Sequence, residues 1–258
     1  MTTWLVTGGA GYIGNHVTRA LLASGRKVVV LDDLSSGHAE RIPAGVAFVE
    51  ANVTDRLTVI AALTEHKVDG VIHLAAKKAA GESVDIPLYY YRENVAGMLS
   101  LMEAMQEAGV KRLVYSSSAA VYGTPKVNPV TEDAELAAES PYGETKVVGE
   151  WMAKAEGVAN GLSWVALRYF NVAGAGSDKL GDSSVNNLIP MVFRALEEGK
   201  RPQIFGDDYP TPDGSVFATT SMSQTSLMLT LLQRPIAKAS KQLTPSTLGV
   251  VWARPSMK

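Results

Sequence analysis

The chain has 258 residues, 46% of them hydrophobic and 19% charged, enough for one sizeable α/β domain or one domain with a smaller lobe. A net charge of −2 without a basic cluster gives no electrostatic reason to expect nucleic acid or membrane lipid as a partner. The absence of cysteine excludes disulfides, thiolate catalysis and cysteine-ligated zinc. No metal site is expected. The chain opens directly into an apolar strand pattern, Trp4-Leu5-Val6, with no charged leader and no run long enough to cross a bilayer, so a cytoplasmic location is expected.

Apolar spacing predicts strands over residues 3–7, 27–31, 46–49, 70–74, 112–116 and 163–169. Helices are predicted between them, over 13–23, 57–65, 89–108 and 142–156. Such alternation calls for an α/β fold, a doubly wound parallel sheet of Rossmann type with right-handed connections. Met98, Leu101, Met102 and Met105 recur at helical spacing and read as a stripe facing the core or a partner.

Between the first strand and the first helix lies Gly9-x-Gly11-x-x-Gly14, overlapped by Gly8-x-x-Gly11-x-x-Gly14. A turn without Cβ atoms lets backbone N–H groups and a helix N-terminus meet a pyrophosphate, and the strand-then-helix setting makes the glycine pattern informative. Asp32 closes the second strand, where a carboxylate suits a free ribose 2′-hydroxyl and repels a 2′-phosphate, so NAD is expected rather than NADP. His73, inside an apolar strand, reads as a packed core residue.

Tyr142 and Lys146 are four residues apart on a predicted helix and emerge from one face. A nearby ammonium, helped by the positive nicotinamide ring, stabilises a phenolate and lowers the tyrosine pKa toward neutrality, which makes Tyr142 a candidate general acid or base. Ser118, just past a strand, is placed to hold the same substrate hydroxyl.

The stretches 7–14, 78–83 (Lys-Ala-Ala-Gly-Glu-Ser), 116–123 (Ser-Ser-Ser-Ala-Ala-Val-Tyr-Gly), 141–146, 167–174 and 204–214 carry a family likeness over residues 1 to about 215. Together they resemble the extended short-chain dehydrogenase/reductase (NAD-dependent epimerase/dehydratase) family, and within it the enzymes that epimerise UDP-sugars at C4. The resemblance implies catalysis by Ser118, Tyr142 and Lys146. It implies cofactor contacts from Gly8, Gly11, Tyr12, Ile13 and Gly14, and from Asp32, Asp33, Leu34, Ser35, Ser36 and Gly37. Further cofactor contacts are implied for Asn52, Val53, Leu74, Ala75, Ala76, Lys78, Asn94, Ser116, Tyr142, Lys146 and Phe170. Lys78, Ser118, Tyr142, Asn171, Asn187, Leu188 and Phe205 are expected to face UDP-glucose or UDP-galactose. A homodimer through a four-helix bundle, built from the helices at 89–108 and 142–156, is expected as well. Asn52 stands where the family usually has an acid near the adenine, and the segment after Asn171 is shorter than in many relatives. Ala119 and Ala120 follow Ser118 where a dehydratase would carry an acid, which argues against dehydration. Another UDP-sugar epimerase of the same superfamily and a catalytically silent NAD-binding protein stay open as alternatives.

These features divide the chain into a cofactor domain at 1–170, the start of a substrate lobe at 171–215, and a tail at 216–258 that leaves the lobe incomplete. The tail holds no Asp or Glu, although residues 1–215 hold all 26, a density that predicts about five in a globular segment of this length. A reading-frame slip is expected to account for this, with a genuine alternative C-terminus as the other reading. The run from Val216 to Ser223 can be encoded by GTG TTC GCG ACT ACA TCC ATG TCA, which read from its third base gives Val-Arg-Asp-Tyr-Ile-His-Val, the family's continuation. The hidden arginine would contact the substrate diphosphate, so impaired substrate binding is expected. The tail shows no strand or helix period.

Overall fold

The computed structural model describes residues 1–184 and 187–203, positions 206, 208, 212 and 214, and two short strands at 220–222 and 250–253. Six strands, β1 Thr3–Thr7, β2 Lys27–Asp32, β3 Ala47–Glu50, β4 Gly70–His73, β5 Arg112–Ser118 and β6 Ser163–Tyr169, lie parallel in the order 3-2-1-4-5-6. β1 and β4 are buried at every residue, and β2 at all but Lys27, because helices cover both faces of the sheet. This is the doubly wound, Rossmann-type arrangement that the alternation of patterns predicts. β5 runs two residues beyond its predicted end, to Ser118, and carries all three serines into the sheet.

Alternate strand residues sort onto two apolar layers. Leu5, Val29, Leu31, Val71, Leu113 and Tyr115 pack on one face with Val59, Met98, Leu101 and Met105. Trp4, Val6, Val28, Val30, Ile72 and Val114 pack on the other with Val17 and Leu21. The covering helices are α1 Tyr12–Ala23, α2 Arg56–Glu65, α3 Ala80–Asp85, α4 Pro87–Tyr90, α5 Gly97–Glu107 and α6 Pro141–Asn160. The methionine stripe belongs to the chain's own core, with Met98, Leu101, Met102 and Met105 all buried.

The helix predicted over 89–108 is not uniform: Tyr91–Ala96 between α4 and α5 is π-helical. α6 is longer than predicted, because Ser140 caps it by accepting from the Gly143 N–H (3.2 Å), Pro141 occupies its first turn and left-handed Gly161 ends it.

Past β6, β7 Asn171–Ala173 pairs in parallel with β8 Thr220–Met222, and β9 Val250–Ala253 adds antiparallel to the outer edge of β6. The reading of the tail as having no strand pattern is thus corrected at 220–222 and 250–253. An open sheet edge offers a row of backbone donors and acceptors to a β-prone Val-Val-Trp-Ala segment. Phe205 and most of the run at 216–223 lie outside the described residues.

Candidate active site

Every candidate cofactor or catalytic residue of the first 170 positions lies within or just beyond one end of the sheet, the carboxyl end of the parallel strands, or on a helix that lines that end. Gly8 follows β1 with φ +71°, and a Cβ there would lie 2.7 Å from the Ala75 nitrogen. A Cβ on Gly14 would lie 2.0 Å from the Gly8 carbonyl oxygen. The loop and the start of α1 are therefore packed as closely as backbone allows. α1 opens at Gly11 without a side-chain cap, so its first-turn N–H groups suit an anion such as a pyrophosphate. The residues present fit a dinucleotide.

Asp32 ends β2 with its carboxylate fixed by the N–H groups of Ala10 (3.0 Å) and Leu34 (2.9 Å). Burial pushes this carboxyl up, and the two backbone hydrogen bonds oppose the rise. Asp33 accepts from the Ser35 backbone N–H (2.9 Å) and hydroxyl (2.6 Å) and from Asn52 Nδ2 (3.0 Å). Asn52 Nδ2 also reaches Glu93 Oε2 at 3.1 Å, so the negative charge missing from position 52 is supplied by two neighbours. Sequence reasoning missed Glu93, and missed Lys77, whose Nζ donates to Ser35 Oγ at 2.8 Å. With β1 lying between β2 and β4, that contact joins the segment after β4 to the segment after β2. Its backbone is gripped on both sides by Asn94, which accepts from the Lys77 N–H (2.8 Å) and donates to the Lys77 carbonyl (3.0 Å) and to Thr145 Oγ1 (3.0 Å). The π-helical segment turns Asn94 inward. Lys78 is exposed in the following loop, Val53 is buried, and Leu74, Ala75 and Ala76 are half-buried after β4.

On the other side of the cleft, Ser118 ends β5 with its hydroxyl accepting from the Ala120 N–H (3.2 Å) and close enough to the Tyr142 phenol to favour the phenolate, and α6 carries both Tyr142 and Lys146. Lys146 is buried, donates to the Ser116 carbonyl at 2.8 Å, and lies 5.8 Å from the Tyr142 ring centroid and 5.2 Å from that of Tyr115. Desolvation pulls its pKa down to about 7. The lowering is expected with the positive nicotinamide ring beside the phenol; in the cofactor-free chain the Tyr142 phenol stands above its ordinary value. Burial pushes the phenol up, only the Ser118 hydroxyl pulls it back, and a lysine that is half-neutral near pH 7 gives limited help. His73 stacks on Tyr115 at 5.9 Å, shares a 2.7 Å hydrogen bond with Thr7, and is held down to about 3 by burial and by Lys146, as a packed core histidine. Phe170 packs on the cluster of Val121, Tyr122 and Val147 beside this site.

The candidate substrate residues are less tightly held. Asn171 is exposed at the start of β7, Asn187 donates to Asp182, and Leu188 is 72% exposed at the start of helix α7, Leu188–Glu197. The segment between β7 and α7 leans on the cofactor half instead. Tyr12 donates to the Gly174 carbonyl, His16 Nε2 accepts from the Gly176 N–H (3.1 Å), and Arg41 donates to the Gly181 carbonyl and to Ser183 Oγ (both 3.1 Å). Among the described residues, no cluster of side chains could hold a metal ion, and no helix is long and apolar enough to cross a membrane.

Residues 4–214 match the NAD dependent epimerase/dehydratase family. The UDP-glucose 4-epimerase of Lactobacillus helveticus is 46% identical over 215 residues, covering 82% of this chain and 65% of that protein. The chain thus spans just under two thirds of the length of this curated relative. Among solved structures, the Brucella ovis UDP-glucose 4-epimerase in complex with NAD superposes with a TM-score of 0.85 at 36% identity, over 90% of this chain and 72% of that one. The Bifidobacterium longum enzyme in complex with NAD+ and UDP gives 0.83 at 35% identity, over 90% and 74%.

Proposed function

The chain belongs to the NAD dependent epimerase/dehydratase family, and from that premise we propose that its site is built to interconvert UDP-glucose and UDP-galactose at C4 of the sugar, with NAD as cofactor. The observation that carries the reading is the meeting of Ser118, Tyr142 and Lys146 at the lip of a crevice shaped for a dinucleotide. NAD, held by the glycine loop and Asp32, would supply a reversible hydride acceptor for the sugar C4 position. Ser118 holds the C4 hydroxyl, and Tyr142 Oη removes its proton and later gives it back. Lys146, buried beneath the phenol, stabilises the phenolate when protonated and loses little solvation by doing so. Asp32, already fixed by two backbone N–H groups, receives the adenosine ribose without reorganising.

The same reading places the cofactor domain at 1–170, the start of the UDP-sugar lobe at 171–215 and a frame-slip product at 216–258. Loss of the diphosphate-binding arginine from that lobe costs about 1.5–3 kcal/mol of substrate affinity, so this form turns over poorly. Two features support a homodimer through a four-helix bundle: the outward faces of α5 and α6 carry Leu99, 49% exposed, and Trp151, 61% exposed. A cytoplasmic location accompanies the proposal. A catalytically silent NAD-binding protein is the second reading, favoured by the acid-free tail.

The test is UDP-galactose conversion by the 258-residue chain beside a version whose frame is restored near codon 216. Turnover confined to the restored chain is the expected result. NAD binding by both without turnover in either would overturn the epimerase reading, and equal turnover would overturn the account of the tail.

A further inference from the structure

One buried cluster takes no part in the chemistry above. Glu150 and Arg168 are each 4% exposed and form a bidentate ion pair, Arg168 Nε to Oε1 at 2.9 Å and Nη2 to Oε2 at 2.6 Å. Glu150 Oε1 also accepts from Ser117 Oγ at 2.5 Å, and Ser117 is the register partner of Arg168 across β5 and β6. The remaining guanidinium nitrogen, Nη1, donates to Tyr122 Oη (2.7 Å) and to the Glu132 carbonyl (2.9 Å).

A buried ion pair is a poor way to gain stability, since well-packed apolar side chains of similar volume hold a core as well or better. What it provides here is geometry. Lys146 and Glu150 lie one turn apart on α6 and grip consecutive residues of β5, Lys146 through the Ser116 carbonyl and Glu150 through the Ser117 hydroxyl. The next residue is Ser118, and the short helical turn after it ends at Tyr122, which Arg168 holds. Every segment bordering Ser118 is therefore tied to one carboxylate–guanidinium unit. Arg168, next to last on β6, also precedes Phe170 and the start of β7 at Asn171.

We propose that the Glu150–Arg168 pair is a positioning device, which locks the carboxyl ends of β5 and β6 to α6 and so fixes where the Ser118 hydroxyl meets the Tyr142 phenol. Both residues act through Ser117, Tyr122 and the backbone. The catalytic part of this inference rests on the proposed epimerase reading; the geometric part does not. Ser118 is the neighbour that favours the Tyr142 phenolate, so a looser placement of its hydroxyl shows as an upward drift of the Tyr142 titration.

The experiment compares the parent full chain, the apolar double variant Glu150→Leu/Arg168→Met, and Ser117→Ala, which cuts the link to β5 and leaves the ion pair. The Tyr142 phenolate is titrated by absorbance in the NAD-loaded proteins, with Tyr142→Phe as the blank. UDP-galactose turnover is followed in the 258-residue and frame-restored chains. The double variant is expected to melt near the parent and bind NAD alike, with the Tyr142 titration raised by about one pH unit and kcat reduced about tenfold at little change in KM. Ser117→Ala is expected to show the same changes at smaller size, and it decides the matter should the double variant fail to fold. A titration that does not move in a folded variant overturns the proposal. A moved titration in a parent that never epimerises leaves the positioning role standing and removes the epimerase reading instead.

Discussion

The cofactor half and the substrate segment of this chain are held in opposite ways. Between β1 and β6 the key side chains are locked by partners from other elements: Asp32 by Ala10 and Leu34, Asn94 by Lys77 and Thr145, Lys146 by Ser116. In α7, by contrast, no residue is buried, and Leu188, Phe193 and Leu196 stand 72, 62 and 58% exposed. Proton transfer needs groups placed to within a fraction of an ångström, which rigid strand ends supply. The stretch between β7 and α7 is tied to the cofactor half by Tyr12, His16 and Arg41, whereas α7 itself presents its apolar side chains outward.

The largest expected effect on the better-held side is that of Tyr142→Phe, which should lower epimerisation in the frame-restored chain by about 10²–10⁴-fold while NAD binding measured by calorimetry stays within a small factor. A comparable loss of NAD binding would mean that the two functions of the cleft are not separable. Asp32→Ala should weaken NAD by about 1.5–3 kcal/mol, read from the same calorimetry. A smaller loss would show that the carboxylate serves the loop more than the ribose.

Lys146 gives a test in pH. Its folded pKa is depressed to about 7 from 10.5, so between those values the unfolded chain binds more protons than the folded one. Stability of the cofactor-free protein should therefore rise with pH across that window, at up to about 1.4 kcal/mol per pH unit from this group. Below pH 7 the whole penalty of burying the charge is present. Lys146→Met should flatten the rise in urea melts at pH 7, 8.5 and 10. An unchanged slope would mean that the ammonium is better solvated than its burial implies. The smallest effect is expected in α7: Phe193→Ser should change stability by less than about 0.5 kcal/mol. A larger loss would show that this face is covered in solution.

The parts of this site that were legible in the sequence are those written in neighbouring residues. The glycines at 8, 11 and 14, Asp32 at a strand end, and the four-residue step from Tyr142 to Lys146 announce their positions because local geometry alone places them. What stayed hidden depends on partners far along the chain. Glu93 completes Asn52 across 41 residues, Lys77 reaches Ser35 across 42, and nothing near Arg168 tells that Glu150 will meet it. The upward push of burial on Tyr142 in the cofactor-free chain was hidden for a related reason, since the spacing that brings an ammonium near says nothing about how deeply both groups are buried. β8 and β9 escaped because a short strand is made by the edge that accepts it more than by its own pattern.

The widened turn at Tyr91–Ala96 makes chain length itself a variable of the cofactor cleft. A π-helical stretch carries one residue more than an α-helix needs to join the same two ends. Removing one residue there would let the backbone relax to ordinary helix, with α4 and α5 keeping the faces they bury. The fold would absorb the deletion, and the cleft would not, because the inward turn of Asn94, and with it the double grip on the Lys77 peptide, exists only while the surplus residue is present.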